Sequence, residues 1–212
     1  MKILTSRIFW GLVIILGGIL MLLEALDVIE SAGIFWGIAF IIAGIFFYSV
    51  YFGDRTHWWA LIPGTILAGL GLGISLDQLF PAVGGDLIGP LFLGSIGLSF
   101  WLVYGVDRGN WWAIIPAGIL TTLALVALAE PLVEDLAVGG VFFFGLGLTF
   151  ALVALLPNPA GRMTWAWIPS LILIVIGVFV FAAAEELLLY IGPAALMIGG
   201  AVLLWRAVRP RG

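Results

Sequence analysis

The sequence predicts an all-α integral membrane protein with eight transmembrane helices, arranged as four tandem helical hairpins of one orientation with both termini in the cytoplasm. Three observations carry this prediction: extreme hydropathy, basic residues confined to alternate gaps between apolar segments, and an internal repeat of 53 residues. Hydrophobic residues make up 64% of the chain and charged residues only 9%, with a mean hydropathy of +1.27. So few charges cannot cover the surface of a soluble domain of 212 residues.

Eight apolar segments follow one another, each of about 20 residues and thus long enough to cross a hydrocarbon core of about 30 Å as a helix. Their predicted ranges are 8–24, 33–52, 58–76, 87–106, 111–129, 137–156, 164–183 and 187–208. The gaps are too short for a soluble domain, which predicts a single membrane domain over residues 1–212. The basic start before the first segment also has the form of a signal peptide, but the span-like length of that segment favours a retained helix.

Charge orients the predicted helices. All eight basic residues lie before the first segment, in alternate gaps or at the end of the chain: Lys2, Arg7, Arg55, Arg108, Arg162, Arg206, Arg209 and Arg211. Two acids, Asp54 and Asp107, share that side. The intervening gaps hold the other ten acids: Glu24, Asp27, Glu30, Asp77, Asp86, Glu130, Glu134, Asp135, Glu185 and Glu186. Basic residues are retained in the cytoplasm during insertion, so the chain is predicted to begin and end there.

The repeat is visible in aromatic and proline residues. The segment Trp58-Trp59-Ala60-Leu61-Ile62-Pro63 returns as Trp111-Trp112-Ala113-Ile114-Ile115-Pro116, 53 residues later, and more loosely as Thr164-Trp165-Ala166-Trp167-Ile168-Pro169. A second marker, Gly97-Leu98-Ser99-Phe100, returns as Gly147-Leu148-Thr149-Phe150, and Gly44 and Gly200 fit the same place. The predicted repeat units are therefore approximately 7–53, 54–106, 107–160 and 161–212.

Tryptophans and prolines of the repeat each allow two interpretations. The tryptophans at span ends predict an aromatic belt at the headgroup level, with stacking on a ligand as the alternative. Pro63, Pro116 and Pro169 are predicted to lie a turn or more inside their helices, where each leaves a carbonyl without its partner. They predict kinks that tilt the helices, and the alternative is a hinge or a break that lines a substrate path.

Small residues predict how the helices pack. Pairs of the GxxxG type are Gly33/Gly37, Gly69/Gly73 and Gly85/Gly89, with Gly64/Ala68 and Ala195/Gly199 of related type. Because lipid tails are as apolar as leucine, membrane helices associate through close backbone approach, which such residues permit. Packing within the chain is the favoured use. Contacts to other membrane proteins through glycine-rich faces are the alternative, and the sequence leaves the oligomeric state open.

No acidic, basic or histidine residue lies near the middle of a predicted span, although proton relays and most coupled transporters need such groups at depth. The polar residues of the spans are hydroxyls expected to bond to carbonyls of their own helix: Ser49, Thr65, Ser95, Ser99, Thr121, Thr122, Thr149 and Ser170. His57 is the only histidine and there is no cysteine, so neither a metal site nor a catalytic triad is predicted.

These features predict no catalytic, cofactor-binding or metal-ligating residues and no cofactor. The acidic gaps on the outer side, such as Glu130, Glu134 and Asp135, could hold a divalent cation or a cationic peptide. The simpler interpretation is that acids are permitted on the side from which bases are excluded. Bases spread one per loop exclude nucleic acid as a partner, whereas the lipid bilayer is a predicted one.

The first hairpin resembles a known bacterial family. Residues 7–20, Arg-Ile-Phe-Trp-Gly followed by a leucine-rich run with Gly17-Gly18, lead to Leu22-Leu23-Glu24, and the second helix carries Phe35-Trp36-Gly37. This pattern resembles the LiaI/LiaF-like bacterial transmembrane region over roughly residues 7–52, with weaker echoes in the later hairpins. The resemblance implies a bacterial plasma (inner) membrane protein linked to envelope-stress sensing or to a sensor kinase. Four hairpins without a soluble cytoplasmic domain depart from that family, and no functional residue is transferred from it.

Two classes of function remain. The first is a non-enzymatic protein of the cell envelope that senses or interacts with partners through lateral helix contacts. The second is a transporter or channel for a neutral or lipid-like solute. A mid-membrane cavity lined by the hydroxyls would indicate the second class, and a bundle packed through glycines would indicate the first.

Overall fold

The computed structural model describes residues 7–26, 33–130, 135–156, 161–184, 190, 192–194 and 196–201. Its seven principal helices are α1 (Arg7–Ala25), α2 (Gly33–Gly53), α3 (Leu61–Leu79), α4 (Pro81–Val106), α5 (Ile114–Ala129), α6 (Asp135–Leu155) and α7 (Trp167–Ala184). No strand occurs within these described ranges. The predicted all-α class is confirmed at this level.

Six helical segments have the length and hydropathy needed to cross a membrane, as in a multi-pass membrane protein: Gly33–Gly53, Trp58–Leu79, Gly84–Val106, Trp111–Ala129, Val138–Leu155 and Thr164–Ala183. The first predicted span is also helical, as α1. Much of the predicted eighth span, 187–208, lies outside the described residues. The count of eight spans and their orientation stay predictions.

The predicted gap that carries Asp77 and Asp86 is helical, unlike the expectation from the sequence. Helix α3 continues to Leu79 and α4 begins at Pro81, so Phe80 alone separates them, with φ −135° and ψ 67°. Proline suits the first position of a helix, where its fixed φ is already correct and its missing N–H is not needed. The tight turn also requires Gly84, because a Cβ there would lie 2.6 Å from the Asp77 backbone nitrogen.

The repeat prolines lie near the starts of α3, α5 and α7. Each of these helices is preceded by one 3₁₀ turn, at Trp58–Ala60, Trp111–Ala113 and Thr164–Ala166. Each repeat proline is consequently the third residue of its α-helix, in the first turn, where proline is tolerated. The Leu61 N–H is directed at the carbonyls of Trp58 and Trp59, the second of which Pro63 cannot serve.

The chain forms two compact units, Met1–Ser95 and Ile96–Gly212, with the boundary inside α4. In the first unit α2 packs along α3, and in the second α6 packs along both α5 and α7. The largest fully buried side chains among the described residues are only Ile114, Val103, Ser99 and Ser170. Many large apolar side chains are exposed instead. A lipid environment permits this, because lipid tails are as apolar as these side chains and their burial brings no hydrophobic stabilisation.

Candidate functional site at the helix contacts and the basic loops

The repeat appears in the structure as a contact across each basic loop. We call α2–α3, α4–α5 and α6–α7 the first, second and third basic-loop hairpins; the first two loops are residues 54–57 and 107–110, and the third basic loop is the connection that carries Arg162. In each, a glycine lies against the backbone of the following helix: Gly44 by Gly64 and Ala68, Gly97 by Ala117 and Thr121, and Gly147 by Ser170 and Ile174. The contacted positions advance by 53 residues each time. The repeat therefore extends from sequence to helix packing.

An aromatic pair closes each basic-loop hairpin near its loop. The rings of Phe47 and Trp59 are 6.3 Å apart in edge-to-face geometry, Phe100 and Trp112 are 6.0 Å apart, and Phe150 and Trp165 are 6.3 Å apart. Edge-to-face pairs contribute about 0.5–1.5 kcal/mol beyond the burial of their area. These tryptophans thus pack against the preceding helix at the ends of their spans, and the predicted aromatic belt stays a prediction.

Hydroxyls of the spans mostly bond to their own helix, as predicted. The carbonyl acceptors lie three or four residues earlier for Ser49, Thr65, Ser95, Ser99, Thr121 and Thr149. Three of the span hydroxyls also connect helices: Ser170 donates to the Gly147 carbonyl at 2.9 Å, Thr65 bonds to the Tyr48 hydroxyl at 2.8 Å, and Thr121 accepts the Trp101 indole N–H at 3.2 Å. Six of these side chains are buried: Thr65, Ser95, Ser99, Thr122, Thr149 and Ser170.

Sequence reasoning missed that hydroxyls and glycines face each other across helix contacts. Gly69 of α3 lies against Ser95 of α4, and Gly145 of α6 lies against Thr122 of α5. Gly118 of α5 also lies against Thr149, and Gly97 against Thr121. The hydroxyls are therefore brought together with glycines at helix contacts. The sequence contains a sign of this arrangement. Gly69 and Thr122 are 53 residues apart, so the same position of the repeat is a glycine in one copy and a hydroxyl residue in the next.

The predicted GxxxG pairs are used unequally. Gly37 lies against Gly71 and Ser75, and Gly69 lies against Ser95, so both pack within the chain. Gly73 makes ordinary contact with Ile88, where a Cβ would be 3.4 Å from the Ile88 Cα. Gly89 has no heavy atom within 4 Å of its Cβ position, and Gly85 meets only the Asp77 carboxylate at 3.5 Å. Within the described residues, Gly85 therefore makes one ordinary contact with α3, whereas Gly89 faces open space.

An apolar groove of about 410 Å³ runs between α6 and α7. It is lined by Gly140, Val141, Phe144, Gly177, Val178, Phe181 and Ala182. Gly177 lies against the backbone of α6, where a Cβ would be 2.8 Å from the Phe144 nitrogen and 3.1 Å from the Gly140 carbonyl oxygen. Close approach of the two helices at these glycines leaves the hollow, and its walls offer no polar group to a solute.

The first basic loop is organised by Asp54. Its Oδ1 accepts hydrogen bonds from the Thr56 N–H at 2.9 Å and from the Thr56 hydroxyl at 2.7 Å. These two bonds, and then the His57 ring, hold the pKa of the Asp54 carboxyl below its ordinary value. His57 Nδ1 lies 3.4 Å from Asp54 Oδ2 but makes no hydrogen bond, so the pair is a loose one within an exposed loop. In the second loop, Asp107 accepts the Gly109 N–H at 2.8 Å in the same way.

In the part of the chain that the structure describes, the acidic gaps contain no cluster of residues that could bind a metal ion. Among the residues that the structure describes, no three of His, Asp and Glu converge on a point that could hold a metal ion. Asp27, Glu30, Glu134, Glu185 and Glu186 lie outside those residues, so the predicted cation or peptide site at the outer acids stays untested.

The chain matches no protein-family model, no curated protein and no solved structure. The resemblance of residues 7–52 to the LiaI/LiaF-like region accordingly stays a prediction.

Proposed function

We propose that this protein is a non-enzymatic multi-pass protein of the bacterial inner membrane that interacts with partner membrane proteins through lateral helix contacts, as an envelope-associated sensing or interaction module. The observation that carries the proposal is the use of the span hydroxyls in helix packing. A path for a neutral solute would need those hydroxyls to face a cavity, whereas Ser95, Thr122 and Thr149 lie against glycines of neighbouring helices. Their placement favours interaction over transport.

Helix α7 supplies the surface for such contacts. Positions 53 residues earlier, Gly118 and Thr122 of α5, contact α6. In α7 the corresponding residues are Leu171 and Val175, and both are exposed. Ser170 and Gly177 of α7 still pack against α6, but at these two positions large apolar side chains replace the glycine and the hydroxyl of α5. Such side chains form ridges that fit the grooves of another helix, and the groove between α6 and α7 can accept a ridge in return.

Photo-crosslinking tests this surface with a matched control. A photoreactive phenylalanine analogue at Val175, which is 53% exposed, is expected to crosslink the protein to a partner protein in cells. The same analogue at Leu98, which is 51% exposed on α4, is the control and is expected to give no protein adduct. Gel electrophoresis followed by mass spectrometry of the adducts provides the measurement. Adducts of equal yield at both positions would show that exposure to lipid alone explains the crosslinking.

The proposed topology has eight spans with both termini in the cytoplasm, supported by the separation of basic and acidic gaps. The chain has no cysteine, so single cysteines report without background. Glu130→Cys is expected to react with an impermeant maleimide in intact cells, and Gly109→Cys only after permeabilisation. A reporter that works only in the cytoplasm is expected to be active when it is fused after residue 212, whereas a reporter that works only outside the membrane is expected to be inactive there. Labelling of Gly109→Cys in intact cells, or a reporter active outside, would contradict the topology.

A further inference from the structure

The same arginine–tyrosine arrangement occurs at the start of two basic loops. In the first, the Arg55 guanidinium carbon lies 4.7 Å from the centre of the Tyr51 ring, and its Nη1 donates to the Tyr51 hydroxyl at 2.9 Å. In the second, the Arg108 guanidinium carbon lies 4.4 Å from the centre of the Tyr104 ring. Tyr51 and Tyr104 are only 6% and 3% exposed, whereas both arginines are exposed. Each buried ring therefore holds a solvent-facing cation in a defined place.

The neighbouring acids bond to other groups of their own loops. Asp54 Oδ1 accepts both hydrogen bonds of Thr56, and Asp107 Oδ1 accepts the Gly109 N–H. Within the described part of the chain, neither Arg55 nor Arg108 forms an ion pair. The Tyr104 hydroxyl is buried and has no hydrogen-bond partner there. In the second loop both the guanidinium donors and a buried hydroxyl are thus left for a ligand to satisfy, and a buried polar group without a partner is costly.

The position of the arrangement indicates which anion would bind. Each arginine lies in the short loop between two helices of membrane-spanning length, and an exposed tryptophan, Trp59 or Trp112, follows four residues later. Tryptophan at a span end marks the headgroup level of the bilayer. The nearest abundant anion at that level is a lipid phosphate, which arginine can bind through two parallel N–H groups.

We propose that Arg55 with Tyr51 and Arg108 with Tyr104 form two repeat-related binding sites for the phosphate of an anionic glycerophospholipid, one in the first basic loop and one in the second. An anionic headgroup such as phosphatidylglycerol is favoured over a zwitterionic one, because the ammonium group of a zwitterionic headgroup competes with the guanidinium for the phosphate. The third basic loop provides an internal contrast. The residue that corresponds to Tyr104 there, by the Phe100 to Phe150 offset, is Ala154, so Arg162 has the same charge without an aromatic ring at that position.

The test is native mass spectrometry of the full chain, which is released from detergent micelles that contain increasing amounts of phosphatidylglycerol. Arg55→Gln and Arg108→Gln are each expected to remove one tightly bound lipid and to weaken binding at that site about fivefold, the effect of one well-placed arginine at a membrane surface. The matched control is Arg162→Gln, which removes the same charge and is expected to leave the count of bound lipids unchanged. Phosphatidylcholine is expected to bind at least fivefold more weakly than phosphatidylglycerol at the two sites.

Other outcomes decide against the proposal. A loss in Arg162→Gln equal to that in Arg108→Gln would show a general effect of net charge. Displacement of the lipid by millimolar inorganic phosphate would identify a site for free phosphate instead of a lipid. Thermal unfolding gives a second readout: phosphatidylglycerol should raise the Tm of the natural protein and of Arg162→Gln more than that of the double variant Arg55→Gln/Arg108→Gln. Equal increases in all three would overturn the two sites even if the double variant were less stable.

Discussion

Replacing Gly71 by alanine is expected to destabilise the first basic-loop hairpin strongly, because the added methyl group meets backbone. A Cβ at Gly71 would lie 2.5 Å from the Gly37 carbonyl oxygen and 2.9 Å from the Ile41 nitrogen. Backbone atoms in a helix cannot rotate away as a side chain can, so α2 and α3 must separate to make room. Overpacking of this kind costs about 1–3 kcal/mol and occasionally more.

Thermal unfolding and titration with a denaturing detergent measure this effect. Gly177→Ala is expected to behave alike in the third basic-loop hairpin, where the obstructing atoms are again backbone. Gly89→Ala is the matched control, since Gly89 is an exposed helical glycine with no heavy atom within 4 Å of its Cβ position. That control should be unchanged or slightly more stable, because alanine favours helix over glycine by about 0.5–1 kcal/mol. Equal stability of Gly71→Ala and Gly89→Ala would show that the close approach of the helices is not required.

Helix positions could be predicted from the sequence because membrane insertion depends on the length and hydropathy of each segment. The predicted 33–52 and 111–129 agree closely with α2 (Gly33–Gly53) and with the segment Trp111–Ala129. The sequence misplaces the gap between α3 and α4, because the two acids Asp77 and Asp86 are typical of a loop. Charged side chains at helix ends can reach the headgroup level, so acids alone do not end a helix there. Pro81 was the better marker of the boundary.

Helix partners could not be predicted in the same way. The helical period shows which residues share a face, but it does not show which neighbouring helix that face meets. Gly69 was recognised as a packing glycine, whereas its opposition to Ser95 depends on the register between α3 and α4. The Arg55–Tyr51 contact was more accessible to sequence reasoning, since residues four apart at a helix end lie on one side. The recurrence of that pair at Tyr104 and Arg108 would have indicated that it was structural.

The exchange of glycine and hydroxyl between the two units predicts a rescue by a double substitution. In the first unit Gly69 on α3 faces Ser95 on α4, whereas in the second unit Thr122 on α5 faces Gly145 on α6. Gly69→Thr alone would place a second side chain in the space that Ser95 occupies, since a Cβ at Gly69 would lie 2.7 Å from the Ser95 Oγ. We expect that single variant to lose about 1–3 kcal/mol of stability.

Adding Ser95→Gly to Gly69→Thr recreates the α5–α6 arrangement within the α3–α4 contact. The double variant is expected to be more stable than Gly69→Thr alone, with a coupling free energy of about 0.5–3 kcal/mol, as for residues in direct contact. Ser75→Gly is the control second substitution, because Ser75 faces Gly37 and not Gly69, and it should give no rescue. Unfolding in detergent of the four variants of the cycle provides the measurement. If Ser95→Gly only adds its own loss, the two contacts are not interchangeable and the 53-residue repeat does not extend to the register between helices. If Ser95→Gly restores stability to Gly69→Thr, the α3–α4 and α5–α6 contacts are the same contact with the larger and the smaller residue exchanged. The complementary volumes of the two residues, and not the identity of either one, then determine how these helices pack.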